Sequence, residues 1–401
     1  MSDYTRFFSE SYTDARTLFQ QCQQAAGATL DHVQLPGHLG PDGEALFIDF
    51  AWMGPRDADV VVLTVSGTHG AEGYCGSAVQ SYAAEVGLFE KPPEGVAFLQ
   101  IHASNPYGMA HGIRSNENLV DMNRNWIDFD NLPAVNPIYD EVMAGLPAEI
   151  EPTEATFAKW QAAFADSVAR FGRWEVDNAM TSGQYHDPRG IEFGGSGPEW
   201  SRCTITRVLD ELTGSARHIV YLDWHTLLRT GNGNLIFLCF NQTGDALYQR
   251  AGSWWGMEAI ARETVNKQWN TGTSAGARRP SRHGLMMWGV QSAMAPQRDV
   301  AGAVIEFCTE PDIHFTPDEL FVRETVCERY LQLSGDRSSR HWLTARHILR
   351  RSINPESAAF QTGVINAGSR ALQAAIDGAA IWARENAAAE PGTITLSSAF
   401  E

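Results

Sequence analysis

Val60-Val61-Val62-Leu63-Thr64-Val65 runs directly into Ser66-Gly67-Thr68-His69-Gly70-Ala71-Glu72-Gly73, and this junction decides the fold class. A β-branched run bounded by Gly54-Pro55 on one side and glycines on the other fits a short strand buried on both faces, as at the centre of an α/β sheet. Runs of the same buried type recur at 96–102, 218–223, 235–240 and 303–307. The stretch 45–52 has one wholly apolar face made by Leu46, Ile48, Phe50 and Trp52. Between the strands lie helical patterns. At 11–26, Ala15, Leu18, Phe19, Cys22 and Ala26 fall at three- and four-residue steps behind a Ser11 or Thr13 cap. Further helices are expected at about 75–86, 153–171, 244–265, 317–333 and 356–388. Alternating strand and helix predicts an α/β layered sheet with helices on both faces.

Between 126 and 216 the texture changes. Phe157, Trp160, Phe164 and Val168 mark an amphipathic helix, and a polar stretch follows in which Gly183, Gly190, Gly194, Gly195 and Gly197 cluster. A loop that long inside a compact unit is usually functional or mobile. Residues 1–401 are therefore expected to form one domain, with a helical and glycine-rich insertion at about 127–217. Tyr185-His186-Asp187 and Arg189, in that stretch, suit the mouth of a site and an ordered surface loop equally.

Composition narrows the function classes. Of 401 residues, 43% are apolar and only 19% charged, enough for a sizeable core and little disordered tail. Lys and Arg number 30 against 48 Asp and Glu, a net charge of −18 that repels phosphate backbones and anionic lipid. Nucleic acid and membrane are thus not expected as partners. No segment reaches the roughly 18 apolar residues of a membrane span, and the polar start Met1-Ser2-Asp3-Tyr4-Thr5-Arg6 has no signal-like pattern. Six scattered cysteines without a C-x-x-C suit free thiols. A cytoplasmic location is the expectation, and Asn241-Gln242-Thr243 is then a chance sequon. Gly194-Gly195-Ser196-Gly197-Pro198 is not a nucleophile elbow, and Gly231-Asn232-Gly233-Asn234 does not extend to a dinucleotide fingerprint.

In open α/β sheets, ligands bind beyond the carboxyl ends of strands, which is where His69 and Glu72 stand. An imidazole and a carboxylate three residues apart, with glycines around them, suit a zinc site that lacks one protein ligand. Taken alone, the same pair reads better as a helix cap or a solvated pair. The run 218–223 leads into Asp223-Trp224-His225-Thr226. There His225 is the candidate for a third ligand, and Asp223 either fixes its ring or is purely structural. In Ala303-Val304-Ile305-Glu306-Phe307-Cys308, an ionisable Glu306 inside an apolar strand must be paired or used. His102 and His218 read as packed or capping residues, and Trp254, Trp255 and Trp288 as core or pocket wall.

Two further segments complete a pattern: Asn105-Pro106-Tyr107-Gly108, and Arg114-Ser115-Asn116-Glu117-Asn118-Leu119-Val120-Asp121-Met122-Asn123-Arg124-Asn125. With H-x-x-E before them, a lone His after them and a Glu-bearing strand last, the chain resembles the zinc carboxypeptidase superfamily. These are the carboxypeptidase A-like metallopeptidases and their relatives, with N-P-D-G and R-x-N-x-N-x-V-D-x-N-R-N motifs in the same order. Asp223-Trp224-His225-Thr226 is similar to the D-L-H-T of the succinylglutamate desuccinylase and aspartoacylase branch. The likeness spans about residues 45–310.

The resemblance implies a carboxypeptidase-like (phosphorylase/hydrolase-like) twisted mixed sheet. It implies one Zn2+ held by His69, Glu72 and His225, with Glu306 as general base and later acid. It further implies that Arg114 polarises the scissile carbonyl and that Asn123 and Arg124 hold a substrate carboxylate. The implied activity is amide hydrolysis on a small peptide or an N-acyl amino acid. Carboxypeptidase chemistry next to a free carboxylate comes first, and deacylation of a small N-acyl amino acid is the alternative. A non-catalytic binding protein on the same fold ranks behind both, because every ligand and the base are present. Three departures stand out: Tyr107 replaces the peptidases' Asp, the insertion has no counterpart, and Tyr248 is the sole Tyr between His225 and Glu306.

Overall fold

A computed structural model describes residues 4–228, 233–239, 245–262, 282–294, 297–309, 314–334 and 336–389. In chain order its first half holds α1 (Tyr12–Ala25), β1 (Thr29–Leu39), β2 (Ala45–Met53), β3 (Val60–Ser66), α2 (Gly73–Glu85), β4 (Val96–His102), α3 (Pro106–His111) and α4 (Pro137–Gly145). There follow α5 (Glu154–Phe171), α6 (Arg173–Thr181), α7 (Trp200–Leu212), β5 (His218–Leu228), β6 (Leu235–Cys239), α8 (Asp245–Trp255) and β7 (Ile260–Arg262). The last are α9 (Met286–Met294), β8 (Asp299–Thr309), α10 (Pro317–Leu333), α11 (Arg340–Ile353) and α12 (Ala358–Ala389). Among the described residues no helix is long and apolar enough to cross a membrane.

The eight strands form one mixed sheet in the order β1-β2-β4-β3-β5-β8-β6-β7. Strands β4, β3, β5 and β8 at its centre are parallel, so their carboxyl ends share one edge. The run that opened the sequence reading lies in β3, where every residue is buried. Val60 and Val62 join a core layer with residues of α2, α8 and α12. Val61, Leu63 and Val65 join the opposite layer with residues of α7 and α9. Each fully buried Val or Leu contributes roughly 1.5–3 kcal/mol, which explains why a run with no polar face is stable only here. The sheet thus carries helices on both faces, as the sequence predicts.

Several expectations need correction. Strands 218–223 and 303–307 are longer, reaching Leu228 and Thr309, so His225 sits inside a strand rather than at its end, while Glu306 lies inside its strand as expected. The helix expected at 244–265 stops at Trp255, where Gly256 takes φ +91°, and β7 follows; residues 263–265 lie outside the described residues, as do Phe240, the sequon and Gly231-Asn232. Strand β1 was not anticipated. It is an edge strand with little beyond Leu35 buried, and its register slips across Pro36-Gly37, so no alternation survives in its sequence. A third apolar cluster joins α4–α6 of the insertion to α10 and α11 through Phe157, Trp160, Phe164, Val326 and Trp342. The helices between 137 and 181 therefore pack on two of the C-terminal helices.

Candidate active site

The chain leaves β3 at Ser66 and turns through a single 3-10 turn, Gly70–Glu72, that puts His69 and Glu72 on one side. Gly70 is required there: a Cβ would lie 2.1 Å from the backbone of Gly108 in α3. That close approach is sealed by Gly70 N–H donating to Arg114 O (3.2 Å) and Ala71 N–H to Ile113 O (2.9 Å). Strand β5 continues past the end of β3, with Ser66 opposite Trp224, so His225 emerges beside the turn. In the next strand Glu306 pairs in register with His225. Asn105 caps α3, accepting from Gly108 N–H (2.9 Å) and donating to Arg114 O (3.2 Å). Tyr107, in the motif's variant position, packs instead on the His111 ring, centroids 4.1 Å apart.

Three donor atoms converge. His69 Nδ1 lies 3.0 Å from Glu72 Oε1 and 3.1 Å from His225 Nδ1, and His225 Nδ1 lies 3.2 Å from Glu72 Oε2. All three side chains are buried. Each ring turns its other nitrogen to a carboxylate: His69 Nε2 is 3.2 Å from Asp121 Oδ1, and His225 Nε2 is 3.0 Å from Asp223 Oδ2. A carboxylate draws the ring proton to Nε2 and leaves the lone pair on Nδ1. Two imidazole lone pairs and a carboxylate then face one another, an arrangement that calls for a cation between them. Ligand atoms about 3.3 Å apart are what a tetrahedral ion with bonds of about 2.0–2.1 Å requires, so these residues fit zinc. Among the described residues this is the only such His, Cys, Asp or Glu cluster.

Without an ion between them, the same groups shift one another's titration, and a proton on His225 competes with the ion for Nδ1. Burial works to raise Glu72, but His69 and His225 outweigh it and hold its carboxyl well below the usual range. Burial works to lower His225, yet Asp223 and Glu72 push it well above an ordinary histidine. Burial raises the Glu306 carboxyl; His225 opposes this, Glu72 adds to it and Arg282 opposes it. Glu306 Oε2 is buried without a hydrogen-bond partner, and among the described residues Glu306 makes no ion pair.

A cavity of about 70 Å³ opens above the cluster. Of the seven residues singled out from sequence, six line it: His69, Glu72, Arg114, Asn123, Arg124 and Glu306, with His225 beneath. Arg114 contacts Asp121 (2.9 Å), Glu72 (3.2 Å) and Glu192 (3.4 Å). Asn123 accepts the N–H of Met286 through Oδ1 at 2.8 Å. Arg124 is deeply buried, with Nη1 donating to Asn123 O (2.8 Å) and Nη2 donating to Thr181 O (2.9 Å) and facing Glu192 (2.6 Å). Its Nε has no partner.

Sequence reasoning missed Glu192, Arg282 and Glu328 and gave Asp121 no role. Arg282 also lines the cavity, and burial together with Arg124 pushes its guanidinium down to about 10. Glu328 on α10 accepts the N–H of Arg114 at 2.8 Å. None of the three belongs to a motif or interrupts an apolar strand, so nothing local marks them. Of the glycine-rich loop, Tyr185 reaches the site, its hydroxyl donating to Arg124 O (2.8 Å), whereas His186 faces Asp140. His102 and His218 are packing residues, the first stacked on Phe19 and the second tilted against Trp382.

Fold and cluster together define an α/β protein with a candidate metal centre at the carboxyl edge of its sheet. The chain belongs to the family described as "Protein of unknown function (DUF2817)", whose model matches residues 8–367. No curated protein matches the sequence. Among solved structures it is similar to carboxypeptidase A from Helicoverpa armigera, at 12% identity over 84% of this chain and 73% of that one, with a TM-score of 0.45. It is similar to bovine thrombin-activatable fibrinolysis inhibitor in complex with tick carboxypeptidase inhibitor, at 10% identity over 83% and 96% of the two chains, TM-score 0.40. A third is the succinylglutamate desuccinylase from Chromobacterium violaceum, at 12% identity over 80% and 74%, TM-score 0.35.

Proposed function

We propose that this chain is a zinc-dependent hydrolase of amide bonds, carboxypeptidase-like, acting next to a free carboxylate. The observation that carries the reading is the unpartnered, buried Glu306 Oε2 in the cavity that also exposes His69 and Glu72. A zinc ion held by His69, Glu72 and His225 would act as a Lewis acid and bring the pKa of water to about 7. Glu306 takes the proton of the attacking water and returns it to the leaving amine, and burial, which raises its carboxyl, makes it a stronger base than an ordinary carboxylate. Arg114 faces the carbonyl oxygen as negative charge develops, with its own orientation fixed by Asp121 and Glu72. Arg124 and Asn123 hold the substrate carboxylate, Arg124 through the N–H groups its in-chain partners leave and Asn123 through its amide nitrogen.

One observation favours the deacylase alternative. Tyr248 lies buried in the core, its hydroxyl donating to Ile260 O at 3.4 Å, so it offers no cap over a peptide. The test is to strip the protein of metal, reload it with zinc and present paired N-acyl amino acids and short peptides as free acids and as amides. Zinc-dependent cleavage with a preference for the free acid supports the proposal. Zinc-loaded protein that cleaves none of them would move the binding-protein reading ahead of both hydrolase readings.

A further inference from the structure

We infer that Glu192, from the glycine-rich loop of the insertion, is a positioning residue that ties Arg114 and Arg124 into one unit. The inference rests on the reading above. Its Oε1 lies 3.4 Å from Arg114 Nε and its Oε2 lies 2.6 Å from Arg124 Nη2, so one carboxylate spans both guanidinium groups. The other acids nearby are shared with the metal cluster: Asp121 also faces His69, and Glu72 is itself a cluster member. Among the described residues, Glu192 has ion-pair contacts only with the two arginines. It does not line the cavity, so it acts through them and not on a substrate.

The loop is built to deliver this carboxylate. Glu192 has φ +55°, a left-handed conformation that L-residues rarely adopt, shared among the described non-glycine residues only with Ala103 and Leu119. Backbone bonds on both sides hold it: Gln184 N–H donates to Glu192 O (3.1 Å), and Gly194 N–H donates to Gln184 O (2.8 Å). Asp121 N–H donates to Phe193 O (2.8 Å), which pins the loop to the segment that bears Asp121 and Arg124. Three guanidinium groups, those of Arg114, Arg124 and Arg282, crowd one small cavity and repel one another. A fixed carboxylate between two of them offsets that repulsion and sets where each points. Arg114 and Arg124 carry different proposed duties, so Glu192 couples the two.

The test compares Glu192→Gln, which keeps shape and removes charge, with Glu192→Asp, which keeps charge but is too short to span both partners. In zinc-loaded protein, Glu192→Gln should lower kcat at least tenfold and shift the free-acid to amide ratio of kcat/KM in the same variant. Glu192→Asp should restore one of the two effects and leave the other. Independently of turnover, nitrogen-15 NMR of the metal-free protein should show the Nε–H proton of Arg114 and the Nη–H protons of Arg124 both exchanging faster in Glu192→Gln. Unchanged exchange at both arginines, or kcat and the acid preference both within twofold of wild type beside a lowered Tm, would overturn the inference and leave a structural ion pair. A wild-type enzyme that ignores the carboxylate sinks the substrate reading instead, and the exchange measurement still decides on Glu192.

Discussion

The Nδ1 atoms of His69 and His225 face each other at 3.1 Å, and each imidazole presents its Nε2 to a buried carboxylate, Asp121 for one and Asp223 for the other. Asp223 is itself held by the hydroxyls of Thr68 (2.9 Å) and Tyr221 (3.1 Å), so the His225 ring is oriented by a supported group. Such partners raise ligand basicity and fix the tautomer. Asp223→Asn should therefore weaken zinc binding by roughly 10- to 100-fold while the fold persists, measured by competition with a chromophoric chelator. Undiminished affinity would show that Asp223 serves packing alone.

Glu306→Gln removes the proposed proton carrier without changing shape. Turnover should fall by roughly 10² to 10⁴ with zinc content unchanged. A carboxylate kept only for structure would give the reverse pattern: a shifted Tm and intact turnover.

The two arginines should separate kinetically. An interaction made only with the developing oxyanion appears in kcat, and one made equally in ground and transition states appears in KM. Arg114→Ala should cost roughly 10² to 10³ in kcat. Arg124→Ala should chiefly raise KM and erase the preference for a free acid over its amide or methyl ester. Equal cleavage of acid and amide by the wild type would dismiss both carboxylate-reading activities and leave a zinc hydrolase of another substrate class.

Behind the site, burial pushes the Glu324 carboxyl on α10 from an ordinary 4.5 up to about 8, and Glu72 adds to the rise. The folded chain therefore binds this proton more tightly than the unfolded chain, and between about pH 4.5 and 8 stability falls as pH rises. Glu324→Gln should melt above wild type at alkaline pH, with the gap closing as pH falls toward 4.5. A gap that stays constant across that window would place the effect elsewhere.

The sheet was legible because its central strands are buried on both faces, which leaves continuous apolar runs such as 60–65 and 96–102. Strand β1 was not, because an exposed edge needs no pattern, and Pro36-Gly37 breaks the one it has. Helix α11 was missed although Trp342, Ala345 and Leu349 are buried at helical spacing, because its other face is crowded with Arg and His. In the site, His69, Glu72, His225 and Glu306 could be read because each follows or interrupts an apolar strand. Glu192, Arg282 and Glu328 arrive from the insertion, the segment before α9 and α10. Only tertiary packing brings them to Arg114 and Arg124, and no local spacing records it.

The central claim is that His69, Glu72 and His225 hold one metal ion. Calorimetric titration of the metal-stripped protein with zinc tests it most directly, run beside a His225→Ala variant whose fold is checked by circular dichroism. The account predicts one tight equivalent per chain in the wild type and none in the folded variant. Equal zinc uptake by both proteins, or no uptake by the wild type, would contradict it.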